Sequence, residues 1–316
     1  MRNKNILLTG ASGFIGKWLQ DRLLVLEANV SIIIRKQGKT VNLPKNKKLR
    51  VYHADIIDYH AISDIIKNQK FDFVFHLASK NINYGHQFDL IETFDTIIKG
   101  TYNILDACRL YARKDIRIIL TSSREVFNDN ENKNSLVSNR FHPYEVSKKS
   151  VDLIVKSFSQ NFSLNILSFR PPNIYGGGDL NWNRIIPGTI KSIINKKRPV
   201  IRTDGSLLRS YLYVEDFIDA IILLAKKGLA KNSKNPIYDI EDLELHSTKE
   251  IVNRIINISG EKLIEPKIEN VSKDEKFNII PSVENSIRDL GWKPVHSIDS
   301  GLTQTLEWYR NYFLDN

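Results

Sequence analysis

The feature that most constrains the fold is a glycine-rich loop close to the amino terminus. The run NILLT at 5–9 is typical of a buried strand, and it leads directly into TGASGFIG. Gly10, Gly13 and Gly16 therefore stand at a strand–turn–helix junction. Glycines so placed permit a tight turn, close approach of the backbone to a pyrophosphate, and close packing of helix on sheet. Because the start of the helix offers unpaired N–H groups to phosphates, the loop predicts a dinucleotide site.

Strand and helix patterns alternate through the first half of the chain. Strand-like runs occur at 5–9, 30–34, 49–53, 71–78, 116–122 and 165–170, and helical runs at 14–24, 88–113 and 144–162. Such alternation indicates an α/β fold, a Rossmann-type doubly wound parallel sheet. After Arg170 the turn-rich segment PPNIYGGGD interrupts the pattern. We therefore predict a dinucleotide-binding domain over 1–170 and a smaller C-terminal α/β substrate lobe over 171–316, with the helix near 213–228 packing back on the first domain.

The end of the second strand bears on the choice of cofactor. An acidic residue there would bind the ribose of NAD, whereas a nearby arginine accommodates the 2′-phosphate of NADP. Here Arg35 and Lys36 follow the strand. The sequence thus favours NADP, with NAD as the alternative; a solvated basic turn is the other interpretation. Asp55 and Ile56, after the third strand, are placed to contact adenine.

Composition excludes several classes of protein. The 316 residues suffice for two lobes, and the single cysteine, Cys108, rules out an intrachain disulfide framework, which fits a reducing compartment. The sequence has no apolar run of about 18 residues and no secretory signal, so we expect a cytoplasmic protein with no membrane partner. The net charge of +10 comes from dispersed lysines, which does not favour nucleic-acid binding. No His, Cys, Asp or Glu spacing resembles a metal site.

The motif that carries chemistry is PYEVSKKS, in which Tyr144 and Lys148 stand four residues apart. On a helix these two share a face, and an ammonium group near a phenol lowers the phenol pKa. Tyr144 then becomes a general base that can remove a proton from a sugar hydroxyl as hydride leaves its carbon. Ser122 and Ser123 end the preceding strand, and their hydroxyls would share the site. The spacing alone occurs by chance in many helices, so its weight comes from the combination with the glycine loop.

Together these motifs resemble the extended short-chain dehydrogenase/reductase family, in its nucleotide-sugar-modifying group. The similarity extends over nearly the whole chain and includes TGASGFIG, HLAS, YEVSK, RPPNIYGGGD, RSYLYVEDFIDA and LGWKP. The region from NIYGGGD to RSYLYVEDF is most similar to CDP-glucose 4,6-dehydratase-like enzymes. The resemblance implies a nicotinamide cofactor, a nucleoside-diphosphate sugar bound in the C-terminal lobe, and a homodimer formed by the helices at 88–113 and 144–162.

The resemblance also implies a reaction and its residues. In such dehydratases the cofactor takes hydride from C4 of a hexose, a base removes the C5 proton, water leaves from C6, and hydride returns to C6. Tyr144 and Lys148 would perform the first step, Ser123 would hydrogen-bond the C4 oxygen, and Glu125 would take the C5 proton. Residues implied to contact the substrate are Asn173, Arg184 and Arg209. Those expected around the cofactor are Gly10, Ser12, Gly13, Phe14, Ile15, Gly16, Arg35, Lys36, Asp55, Ile56, Leu77, Ala78, Ser79, Tyr144 and Lys148.

Three positions depart from the family pattern. Arg124 stands where some dehydratases have an aspartic acid, CDP-glucose-type enzymes have lysine in place of Glu125, and Ile97 stands where relatives usually have asparagine. A C4 epimerase, a 4-ketosugar reductase and a decarboxylase of a UDP-glucuronate-like sugar therefore stay open as alternatives. So does a non-catalytic NADP-sensing protein. For Trp182, stacking on a base and filling the core are equally open, and we expect His76 to be structural.

Overall fold

The computed structural model describes residues 1–35, 44–80, 89–124, 142–228, 235–240, 243–261, 263–271 and 286–315. The chain forms two compact units. The first comprises the described residues of Met1–Arg170, Ile218–Asp239 and Val283–Trp292. The second comprises those of Pro171–Phe217, Ile240–Ser282 and Lys293–Asn316. Residues 286–292, which the sequence analysis assigned to the C-terminal lobe, thus fall in the first unit.

Strands and helices are numbered in chain order. The strands are β1 (Asn5–Thr9), β2 (Asn29–Ile34), β3 (Leu49–His53), β4 (Phe73–His76), β5 (Arg117–Thr121), β6 (Asn165–Phe169), β7 (Asn173–Tyr175), β8 (Val200–Ile201), β9 (Leu208–Tyr213), β10 (Ile237–Tyr238), β11 (Leu245–Ser247) and β12 (Lys267–Ile268). The α-helices are α1 (Phe14–Val25), α2 (Tyr59–Lys67), α3 (Leu90–Phe94), α4 (Gly100–Tyr111), α5 (Pro143–Phe162), α6 (Ile185–Ile194), α7 (Val214–Lys227), α8 (Thr248–Ser259) and α9 (Ile298–Asp315). A π-helical turn, Asp95–Lys99, joins α3 to α4, and a 3₁₀ turn covers Ile287–Leu290.

The first unit is built on a seven-stranded parallel sheet in the order β10-β6-β5-β4-β1-β2-β3. This confirms the predicted Rossmann-type sheet. The central strands β1, β4, β5 and β6 are mainly apolar and buried, because both faces of a parallel sheet are covered. Residues of four neighbouring strands form one buried cluster with residues of α4 and α5: Leu7, Val74, Ile118, Ile166, Ile104 and Val151. All parallel strands end at one edge of the sheet, so the residues that directly follow β1, β2, β4 and β5 lie at that edge.

The predicted helix over 88–113 is found as α3, the π turn and α4 in direct succession. Ile97 lies in the π turn and is buried. Its carbonyl accepts a hydrogen bond of 2.6 Å from the Thr101 hydroxyl. π turns inside helices are often found at functional sites, because the extra residue redirects backbone groups.

The second unit contains a three-stranded sheet in the order β11-β9-β7, the β8–β12 pair, and helices α6, α8 and α9. Helix α8 begins at a Ser247 cap, whose hydroxyl accepts from the Glu250 N–H at 3.0 Å. Among the helices of the described residues, none is both long and apolar enough to cross a bilayer.

Candidate active site

The glycine loop has the geometry that a dinucleotide requires. Gly10 has a φ of +76°, and a Cβ there would lie 2.7 Å from the backbone of Leu77 and Ala78. A Cβ on Gly16 would lie 2.0 Å from the Gly10 carbonyl oxygen. The N-cap residue of α1 is Gly13, which has no side chain to cap the helix, and no acidic residue lies in the first turn. The N–H groups and positive end of this helix therefore suit a pyrophosphate.

The other residues predicted to contact the cofactor, in the glycine loop and after the strands, differ in exposure. Ser12 is exposed, Phe14 and Ile15 are half-buried, and Ser79 is exposed after β4. Asp55 accepts a hydrogen bond of 3.1 Å from the Ile57 N–H just before α2. A Cβ on Gly100 would lie 2.5 Å from the Ile56 side chain, so Ile56 is buried under α4. The predicted contacts of these residues with the cofactor stay predictions.

His76, at the end of β4, connects the glycine loop to α4 through a buried hydrogen-bond chain. Its Nδ1 lies 2.7 Å from the Thr9 hydroxyl, and its Nε2 lies 3.2 Å from the Thr101 hydroxyl. Thr101 donates to the Ile97 carbonyl, so its oxygen accepts from Nε2–H, and Nδ1 accepts from Thr9. Burial lowers the pKa of His76 to about 3, assisted by the charge of Lys148. His76 is thus neutral and links backbone elements, as a structural residue does.

The Tyr144–Lys148 pair lies at the start of α5. Pro143 occupies the first helical turn, and His142 caps the helix, its Nδ1 accepting from the Tyr144 N–H at 3.3 Å. The Lys148 ammonium lies 5.7 Å from the centroid of the Tyr144 ring. It donates to the Thr121 carbonyl at 2.9 Å, where β5 ends. Lys148 is buried while Tyr144 is half-buried, so a fixed cation stands beside an accessible phenol.

The two serines after β5 differ in surroundings. Ser122 is buried, and its hydroxyl donates to the Lys148 carbonyl at 3.4 Å. Ser123 is half-buried and is the serine with access to a ligand. Glu125 and Lys36, two predicted site residues, lie outside the described residues.

A buried carboxylate continues the face of α5 that bears the pair. Asp152 is one turn beyond Lys148 and forms an ion pair with Arg170, just after β6, whose Nε donates to Asp152 Oδ2 at 2.7 Å while its Nη2 lies 2.7 Å from the same oxygen. Burial raises the pKa of Asp152, against the opposing charge of Arg170. Sequence analysis missed this ion pair, although the spacing of Tyr144, Lys148 and Asp152 at four-residue intervals could have indicated it.

Arg124 does not take the place of a proton donor. Its Nε donates to Asp239 at 2.7 Å, and the two side chains are 9% and 4% exposed. A guanidinium group does not release a proton at neutral pH. At the position where some dehydratases have an acid, this chain has an arginine, which forms a buried ion pair with the residue that follows β10.

Arg35, predicted to receive a 2′-phosphate, is held by a carboxylate. Its Nη1 lies 3.1 Å from Oε1 of Glu92 on α3, and the Lys80 ammonium pairs with Oε2 of the same carboxylate. Glu92 is separated from Arg35 by 57 residues. Sequence analysis missed it because nothing local marks a carboxylate so distant in the chain.

The predicted substrate residues lie in the second unit. Asn173 pairs in register with Tyr211, and Arg209 is two residues before Tyr211 on β9. Because side chains two apart share a face of a strand, Asn173 and Arg209 lie on the same face of this sheet. Arg184 precedes α6 and forms an ion pair of 2.9 Å with Asp179.

Trp182 is half-buried and packs against other aromatic rings of the second unit. Its ring lies 5.7 Å from those of Tyr309 and Phe313, and Lys191 lies 4.5 Å over its face. No group of three or more His, Cys, Asp or Glu side chains that could hold a metal ion occurs within the ranges that the structure covers.

Comparison with known proteins now adds to this geometry. The sequence profile described as the NAD dependent epimerase/dehydratase family matches residues 6–240. The chain belongs to this family. The match includes the glycine loop, the Tyr144–Lys148 pair and the Arg124–Asp239 ion pair. As a member of this family, the protein is an enzyme of the NAD-dependent epimerase/dehydratase type, which agrees with the resemblance inferred from its motifs.

Individual relatives of this epimerase/dehydratase are distant. The dTDP-D-glucose 4,6-dehydratase of Dictyostelium discoideum is 27% identical, over 99% of this chain and 83% of its own. A trifunctional UDP-glucose 4,6-dehydratase, 3,5-epimerase and reductase of Arabidopsis thaliana is 25% identical over 97% of this chain, which spans about half, 47%, of that relative. The solved UDP-N-acetylglucosamine 4-epimerase of Methanobrevibacter ruminantium is 25% identical, with a TM-score of 0.83 over 99% of this chain and 100% of its own.

Proposed function

We propose that this enzyme is an NAD(P)-dependent nucleotide-sugar 4,6-dehydratase. The observation that carries the proposal is the pair of a buried Lys148 and an accessible Tyr144 at the carboxyl edge of the sheet, the edge at which the glycine loop also lies. Such a pair serves oxidation of an alcohol. The dehydratases among the relatives support elimination as the step that follows.

The residues divide the work as follows. Bound NAD(P) would accept a hydride from C4 of the hexose and return it at the end. Tyr144 removes the proton of the C4 hydroxyl as the hydride leaves, while Lys148 stabilises the phenolate. Ser123 hydrogen-bonds the C4 oxygen. Glu125 takes the C5 proton, acidified by the neighbouring 4-keto group, and water leaves from C6.

The substrate is proposed to be a nucleoside-diphosphate hexose. Asn173 and Arg209 share a strand face in the second unit, and a guanidinium group can grip phosphate oxygens through two hydrogen bonds. Arg184 would have to leave Asp179 to do the same.

A C4 epimerase is the second candidate, and one observation favours it. The side chain of Arg124 is committed to Asp239, so the chain has no acid at the position where some dehydratases protonate the leaving hydroxyl. An epimerase needs no such acid, since the 4-keto sugar only has to turn over between two hydride transfers. The similarity to a solved 4-epimerase supports the same alternative.

Three further predictions concern the cofactor preference, the oligomeric state and the location of this enzyme. The NADP preference that Arg35 and Lys36 suggest stays a prediction, and the ion pair of Arg35 with Glu92 weighs against it. A homodimer through α4 and α5 is supported by exposed apolar side chains on these helices, treated below. Location in the cytoplasm also stays a prediction.

Product analysis tests the proposal. The purified protein is incubated with CDP-, GDP-, UDP- and dTDP-hexoses, with NAD or NADP, and product masses are measured. We expect one substrate to give a product lighter by one water. Tyr144→Phe should lower the rate by at least about a hundredfold, because the general base is lost. The matched control, Tyr312→Phe on α9 of the second unit, should keep full activity.

Glu125→Gln separates elimination from oxidation. If Glu125 is the C5 base, this variant reduces the cofactor with substrate but forms little dehydrated product. An unchanged mass with inverted C4 would identify an epimerase instead. Stoichiometric consumption of cofactor would identify a reductase, and no turnover across the panel would support a non-catalytic protein.

A further inference from the structure

Three charged side chains form a cluster at the carboxyl edge of the sheet, beside the glycine loop. Arg35 directly follows β2, Lys80 is four residues beyond β4, and Glu92 lies on α3. Glu92 binds both cations, Arg35 through Oε1 at 3.1 Å and Lys80 through Oε2. We call these residues the Arg35–Glu92–Lys80 cluster.

The position of the cluster follows from the order of the strands. β1 lies between β2 and β4, with Thr9 in register with Ile33 on one side and His76 on the other. The glycine loop leaves β1 immediately after Thr9. The cluster thus joins the chain segments that follow the two strands flanking this loop, and Arg35 occupies the place where a Rossmann-type sheet meets the adenosine ribose.

Glu92 is fixed as an anion. Its N–H donates to the Asp89 carboxylate at 2.8 Å, which caps α3. The hydrogen bond from Lys80, and then that from Arg35, hold the pKa of Glu92 below its usual range in spite of partial burial. The three side chains are 59%, 33% and 31% exposed for Arg35, Glu92 and Lys80, so a ligand can reach the cluster.

The charge of Glu92 acts differently on the two nicotinamide cofactors. NADP carries a 2′-phosphate with a charge of about −1.5 to −2, whereas NAD presents a ribose hydroxyl. To bind the phosphate, Arg35 must loosen its contact with Glu92, and the phosphate then stands close to a carboxylate of like charge. Binding the ribose hydroxyl of NAD requires neither the loosening of the Arg35–Glu92 contact nor the approach of two like charges. Discrimination of this kind arises from repulsion of the wrong ligand as much as from attraction of the right one.

We propose that Glu92 is a specificity-determining residue of the cofactor site. By neutralising Arg35, it lowers the affinity of the enzyme for NADP relative to its affinity for NAD. A carboxylate on α3 thus acts through its charge on Arg35 and on a 2′-phosphate, without a contact to the ribose of NAD. The proposal rests on the proposed function only in that a nicotinamide dinucleotide must bind.

Dissociation constants of NAD and NADP, measured by calorimetry on the full chain without substrate, test the assignment. Wild type should bind NAD more tightly than NADP. In Glu92→Gln the carboxylate charge is lost while the size is kept, and affinity for NADP should rise about tenfold, with the NAD constant changed by less than about twofold. Glu92→Gln combined with Arg35→Gln should lose the gain, because the freed guanidinium is its source.

The matched control is Glu27→Gln. Glu27 is also ion-paired, to Arg2 at 2.6 Å, but it precedes β2 at the amino edge of the sheet. It should leave both constants unchanged. A Glu92→Gln variant whose NADP-to-NAD ratio equals that of wild type would overturn the assignment, as would one that binds NADP more weakly. If folded wild type binds neither dinucleotide, both this assignment and the proposed function fail; if it binds and only the ratio stays fixed, the proposed function stands.

Discussion

A single histidine shows how burial links a residue to the pH dependence of the whole fold. His76 is neutral between Thr9 and Thr101, with a pKa of about 3 against about 6.5 when unfolded. As the pH falls, this histidine therefore takes up a proton in the unfolded state before it does so in the folded state. The stability that His76 contributes is fully present above about pH 6.5 and is lost as the pH falls towards 3. Wild type should lose about 2 kcal/mol of unfolding free energy between pH 7 and pH 5 through this group.

His76→Gln should remove most of that pH dependence, measured by urea unfolding at pH 7, 6 and 5. Some dependence will remain, because burial also lowers the pKa of His142. The control is His53→Gln, at the exposed last position of β3, which should retain the wild-type slope. If His76→Gln and wild type lose equal stability over this range, the neutral buried histidine is not the source.

At the scale of elements, the Arg124–Asp239 ion pair ties the end of β5 to the end of β10 across β6. The backbone carbonyl of Asp239 also accepts a hydrogen bond of 2.9 Å from the Ile287 N–H, so the 3₁₀ turn is linked to the same ion pair. Arg124→Ala should cost about 3–5 kcal/mol, since it leaves a buried carboxylate without its cation. The double variant Arg124→Met, Asp239→Leu should cost much less, because no buried charge remains.

Denaturant unfolding measures both variants. Arg22→Ala breaks an ion pair of 2.9 Å with Asp219, in which the side chains are 48% and 46% exposed. It should cost only about 0–1 kcal/mol. An Arg124→Ala cost as small as that of Arg22→Ala would show that the Arg124 pair does not hold the elements together.

Elements and pairings differ in how far the sequence predicts them. Six of the seven parallel strands, α1 and α5 follow from short-range patterns, because neighbouring residues determine a buried strand or an amphipathic helix, whereas the two-residue strand β10 was not predicted. The role of Arg124 and the partner of Arg35 do not follow, because Asp239 and Glu92 are 115 and 57 residues away. Only the fold decides which distant carboxylate meets each arginine. The sequence therefore predicted the glycine loop and the proximity of Tyr144 and Lys148, but it did not predict the ion pairs of Arg124 and Arg35.

For the whole molecule, exposed apolar side chains on two adjacent helices indicate where a second copy would bind. Tyr102 and Leu110 on α4 are 40% and 48% exposed, and Leu153 on α5 is 63% exposed. Arg109 lies 5.1 Å over the Phe162 ring, so the two helices adjoin. Apolar patches of this kind mark interfaces. We expect wild type to sediment as a dimer at micromolar concentration.

Leu153→Arg places a charge in this patch and should raise the dimer dissociation constant by roughly a hundredfold, which corresponds to about 3 kcal/mol. Analytical ultracentrifugation over a dilution series measures it. Leu314→Arg makes the same change at an 84% exposed position of α9 and should leave the dimer intact. A monomeric wild type would refute the dimer itself, whereas a dimer that resists Leu153→Arg would place the interface on another surface. Circular dichroism of both variants separates loss of association from loss of fold, because Leu153 projects from α5 and contributes little buried area to the core.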